Sequence, residues 1–500
     1  MSDIIIERKT ESTIEIHSPT NFGLENELSE YFSFYAPNYK FNPKFRARIW
    51  DGKIKLYNSR TKELPSGLLP YVKKFAEMNG YTYTCDIKNC IHVSIEQLQS
   101  FIEALNIHSR NAKIDIRDYQ FESILKGINQ EKILIQSPTS SGKSVVLYCI
   151  IRWLVNMGKR VILLVPTTSL VSQMYSDFED YSSENGWNTD ENVHQLYSGK
   201  DRIFDKPVLI STWQTIHSMS KGKSVDLNKF FSSWDAYIGD EVHKFVATSL
   251  QQISKKMTHA RWRVGTTGTV QDDKVSKLTL EGSFGPVYKA ITTRELMDNA
   301  QVVDLKIKCI TLSYDKETKK LLKGADYAKE LEWIVTNKRR NKFIANLSNA
   351  MKGNTLILFR LVEKQGKPLY EMIKELCPER DVFYISGETK VEEREKVRKN
   401  INDMDNAIIV ASVAILGTGV NIPSLENIIF ASPTKSKITN LQSIGRGLRL
   451  KEGKNKCLLI DISDNLATGK KMNHTMKHFV ERLKIYSAEE FEYTTSMIDF

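Results

Sequence analysis

No apolar run in this 500-residue chain approaches the length of a membrane-spanning helix. The most apolar helical stretch, SVVLYCIIRWLVNMG, is interrupted by Arg152. The opening MSDIIIERKT has no basic start ahead of an apolar core, so no secretory signal and a cytoplasmic location are expected. Cysteine is scarce as well. The six, at positions 85, 90, 149, 309, 377 and 457, form no CxxC pair and no His-rich metal spacing. They read as reduced thiols, which argues against a disulfide scaffold and against a zinc module. There is no internal repeat of short period.

What is present is ordinary for a soluble globular chain: 41% hydrophobic and 26% charged residues, over a length suited to roughly two to four domains. The formal charge is +11. Residues 1–110 carry 14 basic and 13 acidic side chains and residues 451–500 carry 8 of each, so the excess lies in the middle. A basic balance suits a polyanionic partner, and equally a solvated lysine-rich surface.

The strongest local signal is SPTSSGKS, residues 137–144, a phosphate-binding loop whose opening glycine is Ser137. The apolar run EKILIQ precedes it, and a helical pattern follows it up to Gly158. In a strand–loop–helix unit, the backbone N–H groups of Ser140, Ser141 and Gly142 and the helix N-terminus face an anion. Lys143 then reaches the β- and γ-phosphates and the Ser144 hydroxyl binds Mg²⁺. ATP and Mg²⁺ are therefore the expected cofactors. About a hundred residues on, YIGDEVHKF ends an apolar strand in two carboxylates. At the carboxyl edge of a sheet, Asp240 would hold Mg²⁺ and Glu241 would orient and deprotonate water.

Strand-like runs alternate with helical segments in KILIQS, RVILLVP, PVLIST, AYIGDE and RWRVGTTGT. After a charged helical stretch they resume in NTLILFR, DVFYISG, AIIVAS, NIIFAS and KCLLIDI. The fold expected is α/β, two parallel-sheet domains in tandem behind a small α+β region. The boundaries read as 1–110, 111–295, 296–465 and a helical tail at 466–500. In KFRARIWDGKIKLYN, Asp51-Gly52 stands between two alternating runs and predicts a hairpin. Its pairing would put Arg46, Arg48, Trp50, Lys53, Lys55 and Tyr57 on one face, suited to phosphates and stacked bases. Ala47, Ile49, Ile54 and Leu56 would then form the core face.

Gln120 in IRDYQ, SPTSSGKS, LLVPTTSLVSQ, DEVH, GTTGT, LILFR, GTGVNIP and QSIGRGLR follow in the order of the superfamily-two helicase motifs, across residues 117–449. The chain is similar to that family, and with its N-terminal region it resembles the phage recombination helicases within it, which remodel branched DNA. The resemblance implies two RecA-like domains. It implies that Arg117 and Gln120 read the adenine, and that His243, Thr267 and Thr269 couple the nucleotide state to the second domain. Gln442, Arg446 and Arg449 would come from that domain, the arginines toward the γ-phosphoryl group, with Gly419 among the nucleotide contacts. One strand would touch Pro166, Thr167, Thr168, Ser211, Thr212 and Gln214, then Arg360 and Thr418. Asn421 departs from the family's GxDxP pattern. The implied function is an ATP-dependent DNA helicase or translocase in recombination, repair and replication, working on forks, junctions or R-loops. RNA–DNA hybrids are a further candidate partner and no membrane is. Two other readings stay open at this point: a double-strand translocase that remodels protein–DNA complexes, and a nucleotide-regulated binding protein without hydrolysis.

Overall fold

The computed structural model describes all residues except 1, 20–21, 37, 89–91, 110, 198–203, 222–224, 246, 271–272, 390–392, 394–395, 398–399, 402–403, 415–424, 435, 451–453, 455 and 470. The chain divides into two compact units, Met1–Ser137 with Gly142–Ala290, and Ile291–Phe500 with Pro138–Ser141.

The first unit contains a seven-stranded parallel sheet. Its spatial order is Val193–Leu196, Val208–Thr212, Val161–Val165, Ala236–Gly239, Trp262–Thr267, Lys132–Gln136 and Val287–Lys289. Helices on both faces bury the central strands completely, which is why VILLV reads as an unbroken apolar run and VLIST opens as one. Successive residues serve opposite cores. Val161, Leu163 and Val165 pack with Tyr148, Ile150 and Phe178, whereas Ile162 and Leu164 pack with Phe231, Trp234 and Leu250.

The N-terminal part adds a mixed four-stranded sheet, Glu63–Pro65, Thr13–His17, Ile4–Thr10 and Tyr83–Cys85. Ile4, Ile6, Ile14 and Ile16 pack with Leu24, Leu28, Val72 and Phe75, and with Leu278 of the neighbouring helix Lys274–Phe284. The join is tight: a Cβ on Gly67 would lie 2.0 Å from the Glu281 carbonyl oxygen. Tyr71 donates to Glu281 Oε2 at 2.7 Å. The boundary expected at residue 110 moves earlier. Helix Ile95–Leu105 sends Leu98 and Leu105 into the core built on Ile124 and Ile128, so it packs with the parallel-sheet domain.

The hairpin expected around Asp51-Gly52 does not form. Asn42 caps a short helix, Pro43–Arg46, with Pro43 preset for its first turn. Arg48 then adopts a left-handed φ of 56°. The strand Lys53–Lys55 pairs antiparallel with Ser33–Tyr35 instead. Arg46, Arg48 and Trp50 therefore share no ladder with Lys53, Lys55 and Tyr57. Tyr57 is buried in the N-terminal core, and Ile49, assigned to the core face, is 77% exposed.

The second unit repeats the architecture. Its parallel order is Val382–Ile385, Ile408–Ser412, Asn354–Phe359, Leu425–Phe430, Lys456–Asn465, Asp304–Ser313 and Tyr493–Asp499. The tail expected at 466–500 is not separate. Its strand Tyr493–Asp499 extends this sheet, and helix His474–Ala488 is tied to it by buried Arg482, which donates to both Asp461 oxygens at 2.7 and 2.8 Å. Among the described residues no helix is long and apolar enough to cross a membrane.

Candidate nucleotide site and nucleic-acid contacts

Strand Lys132–Gln136 delivers the loop at the carboxyl edge of the first sheet. Helix Lys143–Asn156 starts directly after it, with Gly142 as its N-cap at φ 79°. Only glycine suits this position, since a Cβ would also meet Gln120 Nε2 at 2.4 Å. Ser140 shares the left-handed conformation, at φ 72°, and Ser141 donates to the Pro138 carbonyl at 2.7 Å. Gln120 is buried beside the loop and accepts from the Arg117 backbone N–H at 3.0 Å.

The strand Ala236–Gly239 ends two places away, and Trp262–Thr267 lies between it and the loop strand. That interposed strand organises the site. Thr266 donates to Asp240 Oδ1 at 2.6 Å. The Thr267 carbonyl accepts from Ser137 N–H at 2.9 Å. Lys143 Nζ donates to the Ser137 carbonyl at 3.1 Å and lies 4.0 Å from Glu241 Oε1. Burial, and then the Glu241 charge, push the Asp240 carboxyl above its ordinary range. Glu241 is also desolvated, but Lys143, His243 and Lys244 hold it below its usual value. Glu241 adopts an unusual left-handed φ of 47°, and its Oε2 is buried with no hydrogen-bond donor.

The three residues expected to couple states are brought together. His243 Nδ1 lies 2.8 Å from Thr267 Oγ1, which donates to the Thr269 carbonyl at 2.8 Å and accepts from its N–H at 3.3 Å. Burial lowers the His243 imidazole to about 4. In the second unit, Gln442 and Arg446 stand on helix Lys437–Gly447 and Arg449 just beyond it. A spacing of four puts Gln442 and Arg446 on one face of the helix. Close packing of Gly447 on the sheet fixes that helix: a Cβ there would meet Cys457 Sγ at 2.4 Å and Ile428 Cδ1 at 2.8 Å.

The expected strand contacts fare unevenly. Thr167 caps its helix by accepting from Leu170 N–H at 3.4 Å, and Thr168 is exposed beside it. Pro166 is buried, and its carbonyl accepts from exposed Gln214 at 3.0 Å. Ser211 is a correction. It is fully buried, with its hydroxyl donating to the Leu196 carbonyl at 2.8 Å, so its side chain cannot reach a phosphate. Thr212 is likewise buried and caps helix Trp213–Ser220. Arg360 is exposed and donates to the Tyr327 hydroxyl at 2.7 Å. Thr418, Gly419 and Asn421 lie outside the described residues. Sequence reasoning missed Thr266, which lies inside the GTTGT motif, and Tyr181, whose hydroxyl is 2.8 Å from Ser144 Oγ. No local pattern marks Tyr181.

A loop of phosphate-binding pattern, an acidic pair with Asp240 buried at the next-but-one strand end and two tandem parallel-sheet units define an ATP-driven motor of the helicase class. Residues 113–272 match the family described as Type III restriction enzyme, res subunit, and residues 338–451 match the Helicase conserved C-terminal domain. Residues 3–86 match the family described as DNA helicase UvsW, N-terminal. The ATP-dependent DNA helicase uvsW of Enterobacteria phage T4 is 32% identical over 494 residues, 95% of each chain. The crystal structure of T4 UvsW aligns over 99% of both chains with a TM-score of 0.53 and 29% identity. The DNA 3'-5' translocase XPB2 of Sulfurisphaera tokodaii is 23% identical over 438 residues, 80% of this chain and 94% of its own. The DNA-bound Type ISP restriction-modification enzyme LlaBIII shares the fold at a TM-score of 0.57 and 16% identity, over 77% of this chain and 32% of its own. The chain belongs to the superfamily-two DNA helicases, in the family of UvsW. It is an ATP-dependent enzyme that acts on DNA.

Proposed function

We propose that this helicase couples ATP hydrolysis to unwinding or branch migration of forked and junction DNA in recombination, repair and replication, with RNA–DNA hybrids as a further substrate. The observation that carries the reading is the set of Lys143, buried Asp240 and Glu241 gathered at one sheet edge, with Lys143 Nζ 4.0 Å from Glu241 Oε1. Ser144 and Asp240 would hold Mg²⁺. A buried carboxylate whose charge is disfavoured by burial and by its neighbour is one that a divalent cation stabilises, so the residues fit. The ion, when bound, neutralises charge on the transferring phosphoryl group.

This chain's residues do the rest. Lys143 exchanges its contacts with Ser137 and Glu241 for the phosphates. Glu241, kept ionised, takes the proton of the attacking water. Arg117 and Gln120 hold the adenine edge. Arg446 and Arg449 supply positive charge to the γ-phosphoryl group in the transition state, with Gln442 beside them. The chain His243–Thr267–Thr269 relays the state of Glu241.

DNA strand contacts fall to Thr167, Thr168, Gln214 and Arg360, with Thr418 as the family's further candidate. Substrate choice falls to residues 33–55, which carry six basic side chains and only Asp51 as an acid. Arg46, Arg48, Lys53 and Lys55 meet phosphates there. Trp50 is held by its ring N–H to the Lys53 carbonyl at 2.9 Å. Bases would stack on Trp50 and on Phe41, which is 71% exposed.

The test is ATPase stimulation by single strands, duplex, forks and RNA–DNA hybrids, beside strand separation on a forked duplex. Fork-stimulated hydrolysis with separation is expected. Hydrolysis without separation would indicate a duplex translocase, and nucleotide binding without hydrolysis would indicate a regulated binding protein; either result overturns the proposal.

A further inference from the structure

We propose that Tyr181 is a positioning residue for Ser144, fixing the hydroxyl that receives the magnesium ion of bound nucleotide. The inference rests on the reading of Ser144 as a metal ligand and adds a residue that no motif of the family brings in. Tyr181 closes helix Thr168–Tyr181 and is 9% exposed. Its hydroxyl lies 2.8 Å from Ser144 Oγ, across 37 positions of sequence. The phenol is itself well anchored. Its ring packs edge-on against Tyr148 at a centroid distance of 5.4 Å. Its backbone carbonyl accepts from Asn185 Nδ2 at 3.3 Å, and the same amide nitrogen donates to the Leu105 carbonyl at 2.6 Å.

A serine in the first turn of a helix has several staggered positions open to its hydroxyl, including bonds back to nearby backbone. A rigid partner selects one of them. When Ser144 donates its proton to the Tyr181 oxygen, both lone pairs of Ser144 stay available to a cation. Outer partners of this kind orient most protein metal ligands, and their loss weakens metal affinity by about 10–100-fold. Tyr181 thus performs for a serine ligand what a carbonyl or carboxylate performs for a ligating histidine.

The experiment measures equilibrium binding of a fluorescent ATP analogue to the full chain, in Mg²⁺ and in excess EDTA, for the wild type, Tyr181→Phe, Ser144→Ala and the double variant. Melting temperatures are recorded alongside. Phenylalanine keeps the ring packing, so Tyr181→Phe should melt with the wild type and bind equally in EDTA. It should lose about tenfold of the affinity that Mg²⁺ confers. Ser144→Ala should lose at least as much, and the double variant no more than Ser144→Ala alone. If Tyr181→Phe keeps the full Mg²⁺ gain while Ser144→Ala loses it, the positioning role is wrong and the ligand assignment stands. If Ser144→Ala keeps the gain, the ligand assignment falls and the proposal with it. Equal losses in Mg²⁺ and EDTA for Tyr181→Phe would make the contact mere packing and also overturn the proposal.

Discussion

Replacing Glu241 with Gln keeps the shape of the side chain and removes only its charge and its proton affinity. In the folded protein that charge sits 4.0 Å from Lys143 Nζ and 3.4 Å from His243 Nδ1. Lys143 favours the ionised carboxylate, so Glu241 is a ready proton acceptor at neutral pH. A positioned general base contributes about 10²–10⁴ in rate, or roughly 3–5 kcal/mol of barrier. Hydrolysis in Glu241→Gln should fall by that factor. Binding should move the other way. Two unit charges 4 Å apart attract by about 1 kcal/mol in water and about 4 kcal/mol in a partly buried site. Removing the carboxylate frees Lys143 from part of that attraction and takes one negative charge away from a site that admits a polyanion. ATP affinity should therefore be unchanged or tighter. Single-turnover hydrolysis and equilibrium binding of ATP, measured on the same preparation, separate the two effects. Hydrolysis within threefold of the wild type would refute the role of Glu241. A joint loss of binding and hydrolysis would refute the charge argument.

His243 gives a pH signature. Its imidazole falls from 6.5 to about 4 on folding, mainly through burial. Between those values the unfolded chain binds a proton that the folded chain does not. This contribution is complete above about pH 6.5 and is lost as pH falls toward 4, to a total of about 3 kcal/mol. Denaturant unfolding at pH 7 and pH 5 should show the decline, and His243→Gln should flatten it; an equal decline in the variant would assign the pH dependence elsewhere. Gly67→Ala would drive a methyl onto the Glu281 carbonyl, with Gly285 N only 2.8 Å away, and both are backbone atoms that cannot swing aside. A loss of about 1–3 kcal/mol is expected, read as a lowered melting temperature, and an unchanged one would mean that the N-terminal part is not wedged there. Arg482→Ala leaves Asp461 buried without its two guanidinium bonds. It should cost about 3–5 kcal/mol, and a denaturant midpoint equal to the wild type would show that the pair contributes nothing net.

The linear sequence by itself determined the two parallel sheets and marked the candidate nucleotide site. Strands buried on both faces appear as mainly apolar runs wherever they end up in the sheet, and VILLV, VLIST and IIVAS needed no partner to be recognised. The phosphate loop is contiguous, so its glycine, lysine and serine carry their geometry with them, and Asp240-Glu241 needed only a strand end. Tertiary structure decided whatever depends on a distant partner. The Asp51-Gly52 pair encodes a turn, and Gly52 does take φ 80°, but a turn signal does not say which strand follows it home. Lys53–Lys55 pairs with Ser33–Tyr35, while Asn42 and Pro43 hold the residues before the turn in a short helix. Tyr493–Asp499, too polar to read as a strand, became one because the ten-residue strand Asp304–Ser313 offered it an open edge. Ser211 looked like a phosphate contact until the neighbouring strand's Leu196 carbonyl claimed its hydroxyl. Thr266 and Tyr181 gained their places beside Asp240 and Ser144 in the same way. Backbone pairing and side-chain capture across a fold are settled by which donors and acceptors packing leaves facing one another, and neither periodicity nor motif spacing records that.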